Sequence, residues 1–211
     1  MTAIVTDEQA KAFANDLYTA RRDRVPIAPF TEALPDLGML DGYAIQEHLV
    51  KLLVADGEVI SGYKLGLTSL AMQKLLGVDQ PDFGPVFAST VYRDGVEIPV
   101  DRFIAPRIEA EIGVILSSDL TGPLCTPADA RRATAGLVAA LEIVDSRIKD
   151  WRIKLADTVA DLASNGAIAL SSDVIPIEGF DPRLVGLLFT RTGALIATGA
   201  GAAALGDPLA A

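Results

Sequence analysis

The chain has 211 residues, half of them apolar, and a mean hydropathy of +0.36, which supplies material for a folded core and excludes an intrinsically disordered protein. Eighteen Lys and Arg against 28 Asp and Glu leave a net charge of −10, a field that repels nucleic-acid phosphates and anionic lipid. The single cysteine, Cys125, permits no intrachain disulfide and no two-cysteine metal motif, and no basic-then-apolar leader opens the sequence, so a cytoplasmic protein without nucleic-acid or membrane partners is expected.

Thr6 and Gln9 form a capping box ahead of a helix that turns Phe13, Ala14, Leu17 and Tyr18 to one face. The stretch 21–35, interrupted by Pro26, Pro29 and Pro35, reads as loop. Asp41 is expected to cap a second helix that buries Ile45, Leu49, Leu52 and Leu53 and stops at Gly57. Residues 1–57 are thus read as a helical segment and 58–211 as a β-rich domain.

In the second part, 59–65 reads as a strand, 69–76 as a short helix closed by Gly77, and 78–85 as a loop. Asp94-Gly95 signals a hairpin between 86–92 and 96–100. Residues 107–116 alternate as a strand, Thr126-Pro127 opens a helix, 137–144 is a buried strand, and 157–164 is helical. A last hairpin joins 184–189 to 194–197 around Thr192-Gly193, and a helix is expected from Ala202. The charge-free tract 192–206 has 15 residues, short of the ~20 that span a bilayer. Strands interleaved with helices without strict alternation indicate an α+β fold.

Three places carry charge where packing would not ask for it. In the strand 107–116, Ile108, Ala110, Ile112, Val114 and Leu116 share an apolar face, while Arg107, Glu109 and Glu111 share the other. The bland reading puts that acidic face in solvent. Glu142 changes the balance, because it interrupts the apolar run Leu137 to Val144, and a buried carboxylate needs a partner or a metal. Three glutamates on two strands suit a hard divalent ion such as Mg²⁺ or Mn²⁺. Lys64, inside another apolar strand, is either a snorkelling edge lysine or a cation for an anionic substrate. Asp79 and Asp82 are either turn formers or acid/base carboxylates.

Two other motifs are discounted. Gly199-Ala-Gly201-Ala-Ala-Ala204 matches a dinucleotide fingerprint but leaves too few residues for the helix, strand and acidic residue that the fingerprint requires. Cys125 has only His48 as a candidate partner, and His48 reads as solvated on a surface helix.

Six ordered stretches, Gly62-Tyr-Lys-Leu-Gly-Leu-Thr-Ser69, Gly77-Val-Asp-Gln-Pro-Asp-Phe-Gly84, Pro106-Arg-Ile-Glu-Ala-Glu-Ile112, Glu142-Ile-Val-Asp-Ser-Arg147 with Asp150-Trp151, Asp157-Thr-Val-Ala-Asp161 and Thr198 to Gly206, resemble the 2-keto-4-pentenoate (2-hydroxypenta-2,4-dienoate) hydratases of the fumarylacetoacetate hydrolase-like superfamily. The resemblance implies N-terminal helices followed by a mixed β-roll or sandwich core. It implies a lyase of aromatic-compound degradation that hydrates a small anionic 2-hydroxydienoate. It further implies a divalent ion on Glu109, Glu111 and Glu142, catalytic pocket residues Lys64 and Asp82, with Asp82 for proton transfer and Lys64 for charge stabilisation or the two roles exchanged, and substrate contacts from Ser164, Asp79 and Thr198.

Asp82 in the 80–84 stretch and the segment 148–151 favour a hydratase over the related 4-oxalocrotonate decarboxylases, and the choice between a pentadienoate and a longer dicarboxylate stays open. A non-catalytic subunit is the third reading. A homo-oligomer, or a complex with other enzymes of the route, is expected. Leu162 stands where the family usually has Asn, and Asp207 where it commonly has His. Members usually continue beyond the position of Ala211, so a core lacking its closing strands, and reduced activity, are expected.

Overall fold

The computed structural model describes residues 4–211, the side chains of Leu75 and Leu76 excepted. The chain begins with three helices, α1 (Asp7–Asp23), α2 (Phe30–Ala33) and α3 (Met39–Ala55). The Thr6–Gln9 box closes reciprocally on α1, as its spacing predicts. The α3 start differs from expectation: Gly38 is the cap and Asp41 lies one turn in. Its carboxylate accepts the amides of Ile4, Val5 and the cap residue Gly38 at 2.6–2.8 Å and so ties the segment before α1 to the start of α3.

β1 (Ile60–Gly66) pairs antiparallel with β2 (Asp82–Phe87), and α4 (Leu70–Leu76) sits between them, ended by Gly77 at φ 67°. The expected loop at 78–85 is therefore half strand. Pro85 cannot donate to a ladder, but in a two-stranded sheet its nitrogen faces no second neighbour, so the strand tolerates it.

The expected hairpin around Asp94-Gly95 does not form. Residues turn there, with Gly95 at φ 78°, but β3 (Val91–Arg93) runs parallel to β6 (Asn165–Leu170), and Asp94 N–H donates to the Leu170 carbonyl. The apolar edge of β6 wins over the exposed, proline-containing stretch 96–100.

The main sheet has the order β3-β6-β5-β4, with β4 (Arg107–Leu116) and β5 (Thr134–Val144) antiparallel and β7 (Ile175–Pro176) also on β5. α5 (Pro127–Ala133) leads into β5 from its Thr126 cap, and α6 (Leu155–Ala160) leads into a three-residue turn, Leu162–Ser164. β8 (Gly186–Arg191) and β9 (Ala194–Ala200) form the expected last hairpin.

No helix starts at Ala202. A single 3₁₀ turn over Gly201–Ala203 is followed by left-handed Leu205 and Gly206, which interrupt any helical hydrogen-bond run.

The core joins both halves of the chain. Leu17, Ile45 and Leu49 of the helices pack with Phe87, Ile148 and Leu162 from the strand region. α3 lies on α6 at Gly42, where a Cβ would meet the Ala156 carbonyl at 2.8 Å, and Gln46 bridges the Phe83 and Val159 carbonyls at 3.0 and 2.7 Å. Among the described residues no helix is long and apolar enough to cross a membrane.

Candidate active site

Directly opposed residues in an antiparallel pair share a face, and Glu109 stands opposite Glu142 while Glu111 stands opposite Ala140. The buried face of β5 carries Val138, Ala140, Glu142 and Val144. The acidic face of β4 thus shares a side with the buried face of β5, although Glu109 and Glu111 themselves are exposed. The opposite, apolar face is also partly open, with Ile108 54% exposed. One carboxylate oxygen from each of Glu109, Glu111 and Glu142 lies within 4.8 Å of the others.

Lys64 and Glu142 both point inward, with side chains 8% and 5% exposed. Lys64 Nζ lies 3.4 Å from Glu142 Oε2 and donates to the Ala163 carbonyl at 3.0 Å. Asn165, at the start of β6 and fully buried, donates from Nδ2 to Glu142 Oε1 at 3.1 Å. Asp82 lies buried at the start of β2, opposite Gly66. A Cβ on Gly66 would sit 2.1 Å from Asp82 Oδ1, so glycine there admits the carboxylate.

The electrostatics are unbalanced. Burial raises Asp82 above its ordinary value, against the pull of Lys64. Burial also raises Glu142, with Lys64 and Asn165 opposing. Glu111 is exposed as a residue, yet the protein crowded around its carboxyl, and then the charges of Glu142 and Glu109, push it up to about 7. Four carboxylates gather around one lysine, and among the described residues the oxygens Asp82 Oδ1 and Asn165 Oδ1 have no hydrogen-bond partner. An all-oxygen cluster short of positive charge fits a hard divalent cation, for which Glu109, Glu111 and Glu142 are the ligands at hand.

Ser164 is buried beside this cluster, and its Oγ lies 3.1 Å from Thr158 Oγ1. Leu162, Ala163 and Ser164 all adopt left-handed conformations, φ 57°, 50° and 56°. The turn is held by Arg147, which forms a buried ion pair with Asp161 and donates to the Asp161 and Asn165 carbonyls at 2.7 and 3.0 Å. Its reward is the placement of the Ala163 carbonyl on Lys64.

The remaining candidates are not gathered here. Asp79 is exposed in the turn before β2, and Thr198 is exposed on β9, opposite Leu188. His48 hydrogen-bonds Asp7 at 2.9 Å, and Cys125 is exposed. Sequence reasoning did not single out Asn165, Gly66 or the Ala163 carbonyl. A polar residue opening the apolar strand 165–170 was the one signal available for Asn165, while a backbone carbonyl carries none.

The cluster is acidic, with Asp82 and Glu142 buried and Glu109 and Glu111 exposed, and such unbalanced groups are common at functional sites. The comparisons agree in kind. No family model matches the chain. It is 44% identical to the 2-keto-4-pentenoate hydratase of Paraburkholderia xenovorans over 97% of this chain and 76% of the relative. It is 42% identical to a 2-hydroxypent-2,4-dienoate hydratase of Pseudomonas putida over 92% of this chain and 88% of the relative. In structure it resembles the 4-oxalocrotonate decarboxylase of Pseudomonas putida G7, complexed with magnesium and adipate, at TM-score 0.94 and 31% identity, covering 99% of this chain and 80% of that one. The chain belongs to the 2-keto-4-pentenoate hydratase family.

Proposed function

We propose that the protein is a divalent-metal-dependent hydro-lyase that adds water to a 2-hydroxy-2,4-dienoate, giving a 4-hydroxy-2-oxo acid in aromatic-compound degradation. Hydratase relatives at 41–44% identity support the reaction class. The observation that carries the site is the convergence of Glu109, Glu111 and Glu142 beside Lys64 and Asp82. Glu109, Glu111 and Glu142 would hold Mg²⁺ or Mn²⁺, which supplies Lewis acidity at the 2-oxygen of the substrate.

The other steps fall to the chain's own groups. Lys64, its position set by Glu142 and the Ala163 carbonyl, stabilises negative charge that develops on the substrate. Asp82, raised by burial and with Oδ1 free to accept, exchanges a proton with the diene carbon. The Ser164 hydroxyl orients the substrate carboxylate.

The test follows the dienoate's ultraviolet absorbance with and without Mg²⁺. Metal-dependent loss of absorbance with formation of 4-hydroxy-2-oxopentanoate is expected. Release of CO₂ from 2-oxohex-3-enedioate without hydration of the dienoate would assign the decarboxylase reaction instead, which the likeness to the 4-oxalocrotonate decarboxylase keeps in view. Calorimetric titration of Mn²⁺ into wild type and Glu142→Gln tests the ligand set, and equal affinities would remove Glu142 from it.

A further inference from the structure

In the ladder between β5 and β6, Glu142 stands opposite Ile168 and Ile143 opposite Ala167, but Val144 stands opposite Asn165, so the ladder skips Gly166. Side chains alternate along a strand, and without the extra residue Asn165, three positions from Ile168, would point to the face away from Glu142. The bulge re-aims it. Directly opposed residues share a face, so Asn165 joins Val144 and Glu142. Glycine admits this close approach, because a Cβ at Gly166 would lie 2.6 Å from the Ile143 carbonyl oxygen and 3.0 Å from Asp145 Cβ. The main chain at Asn165 is clamped as well: its carbonyl accepts from Arg147 Nη1 at 3.0 Å and from Arg21 Nη1 at 3.4 Å.

The side chain so aimed is fully buried and only half bonded. Nδ2 donates to Glu142 Oε1 at 3.1 Å, while among the described residues Oδ1 has no hydrogen-bond partner. An unmet buried acceptor destabilises a fold, and leucine, of nearly the same shape, would fill the place without one. Packing therefore does not account for an amide here. Glu142 accounts for its orientation, since the amide turned over would set oxygen against oxygen.

With Asn165 in place, Glu142 is held at both carboxylate oxygens, Oε1 by Asn165 and Oε2 by Lys64 at 3.4 Å. Two contacts define the plane of the carboxylate, whereas one leaves it free to turn. The amide is also neutral. A lysine or arginine in its place would hold the carboxylate equally well but would repel a cation bound there.

We propose that Asn165 is a positioning residue, delivered by the bulge at Gly166, that holds the Glu142 carboxylate in the orientation in which it joins Glu109 and Glu111 on a divalent cation. This role presupposes the ligand set proposed above.

The test is calorimetric titration of Mn²⁺ into wild type, Glu142→Gln, Asn165→Leu and Asn165→Ala, beside thermal melts of each in EDTA. Asn165→Leu keeps the volume and removes the donor; Asn165→Ala removes the donor without adding bulk. Both should bind Mn²⁺ about 10–100-fold more weakly than wild type, the usual effect of losing a group that orients a metal ligand. Asn165→Leu should melt in EDTA close to wild type, which separates a lost orientation from a lost fold. Wild-type affinity in a folded Asn165 variant, with Glu142→Gln weakened, would overturn the role of Asn165 and leave the ligand set standing. Wild type that binds Mn²⁺ no better than Glu142→Gln would remove Glu142 from the ligand set, and the proposal with it. Collapse of the EDTA melt in both Asn165 variants would assign the amide to the stability of the core and overturn the proposal as well.

Discussion

Asp82 and Asp41 are both buried acids, and their surroundings drive them in opposite directions. Asp82 has an orphaned oxygen, and burial raises it. Asp82→Asn preserves the shape and removes the exchangeable proton, so kcat should fall about 10²–10⁴-fold with a near-wild-type melting temperature. Steady-state kinetics beside a thermal melt check this. Asp41 is likewise desolvated, but the amides of Gly38, Val5 and Ile4 outweigh that cost and lower it below its ordinary 3.8. A depressed folded-state value contributes stability that is present above the unfolded value and lost as pH falls through the folded one. Asp41→Ala should therefore cost about 1–2 kcal/mol at pH 7, and the gap should close as pH drops below the ordinary carboxylate value. Denaturant unfolding across pH 3–7 reads the difference; a gap independent of pH would point to lost packing instead.

At the scale of elements, the site depends on β2 lying tightly against the left-handed turn after α6. A Cβ on Gly84 would be 2.1 Å from the Leu162 carbonyl oxygen and 3.1 Å from the Ala163 nitrogen, both backbone atoms that cannot step aside. Each non-glycine left-handed residue in that turn costs about 1 kcal/mol, and the Arg147–Asp161 pair and its carbonyl bonds offset the strain. Gly84→Ala should cost about 1–3 kcal/mol and displace the Ala163 carbonyl from Lys64. The checks are the unfolding midpoint and kcat, both of which should fall. A stable variant with unchanged kcat would show that the turn can shift without consequence for Lys64.

For the molecule as a whole, the acidic cluster carries like-charge repulsion. Glu109 and Glu142 face each other across the ladder, and Glu111 is pushed up to about 7. Mn²⁺ at a hundredfold excess over Kd should raise the melting temperature by roughly 5–10 °C. Glu111→Gln should melt higher than wild type in chelator and lose most of that increment. Calorimetric melts with EDTA and with Mn²⁺ separate the two effects. If Glu111→Gln melts lower in chelator, the like-charge argument fails.

The capping box of α1, the alternation in β4, the misplaced Glu142 and Lys64, and the last hairpin were legible in the sequence because each is a local pattern of side-chain type and spacing. The ordered motifs carried the family. What the sequence could not decide depends on which segments meet. Local turn chemistry favoured a hairpin at Asp94-Gly95, but β3 took the edge of β6; the 78–85 stretch looked irregular until β1 offered it a ladder. Alternation sorts the residues of β4 into two faces without saying what lies across from either. Register against β5 decided that, placing the exposed Glu109 opposite the buried Glu142. Asn165, Gly66 and the Ala163 carbonyl entered the site the same way, since an amide, a missing Cβ and a backbone oxygen acquire a chemical role only from the groups that tertiary contact brings against them.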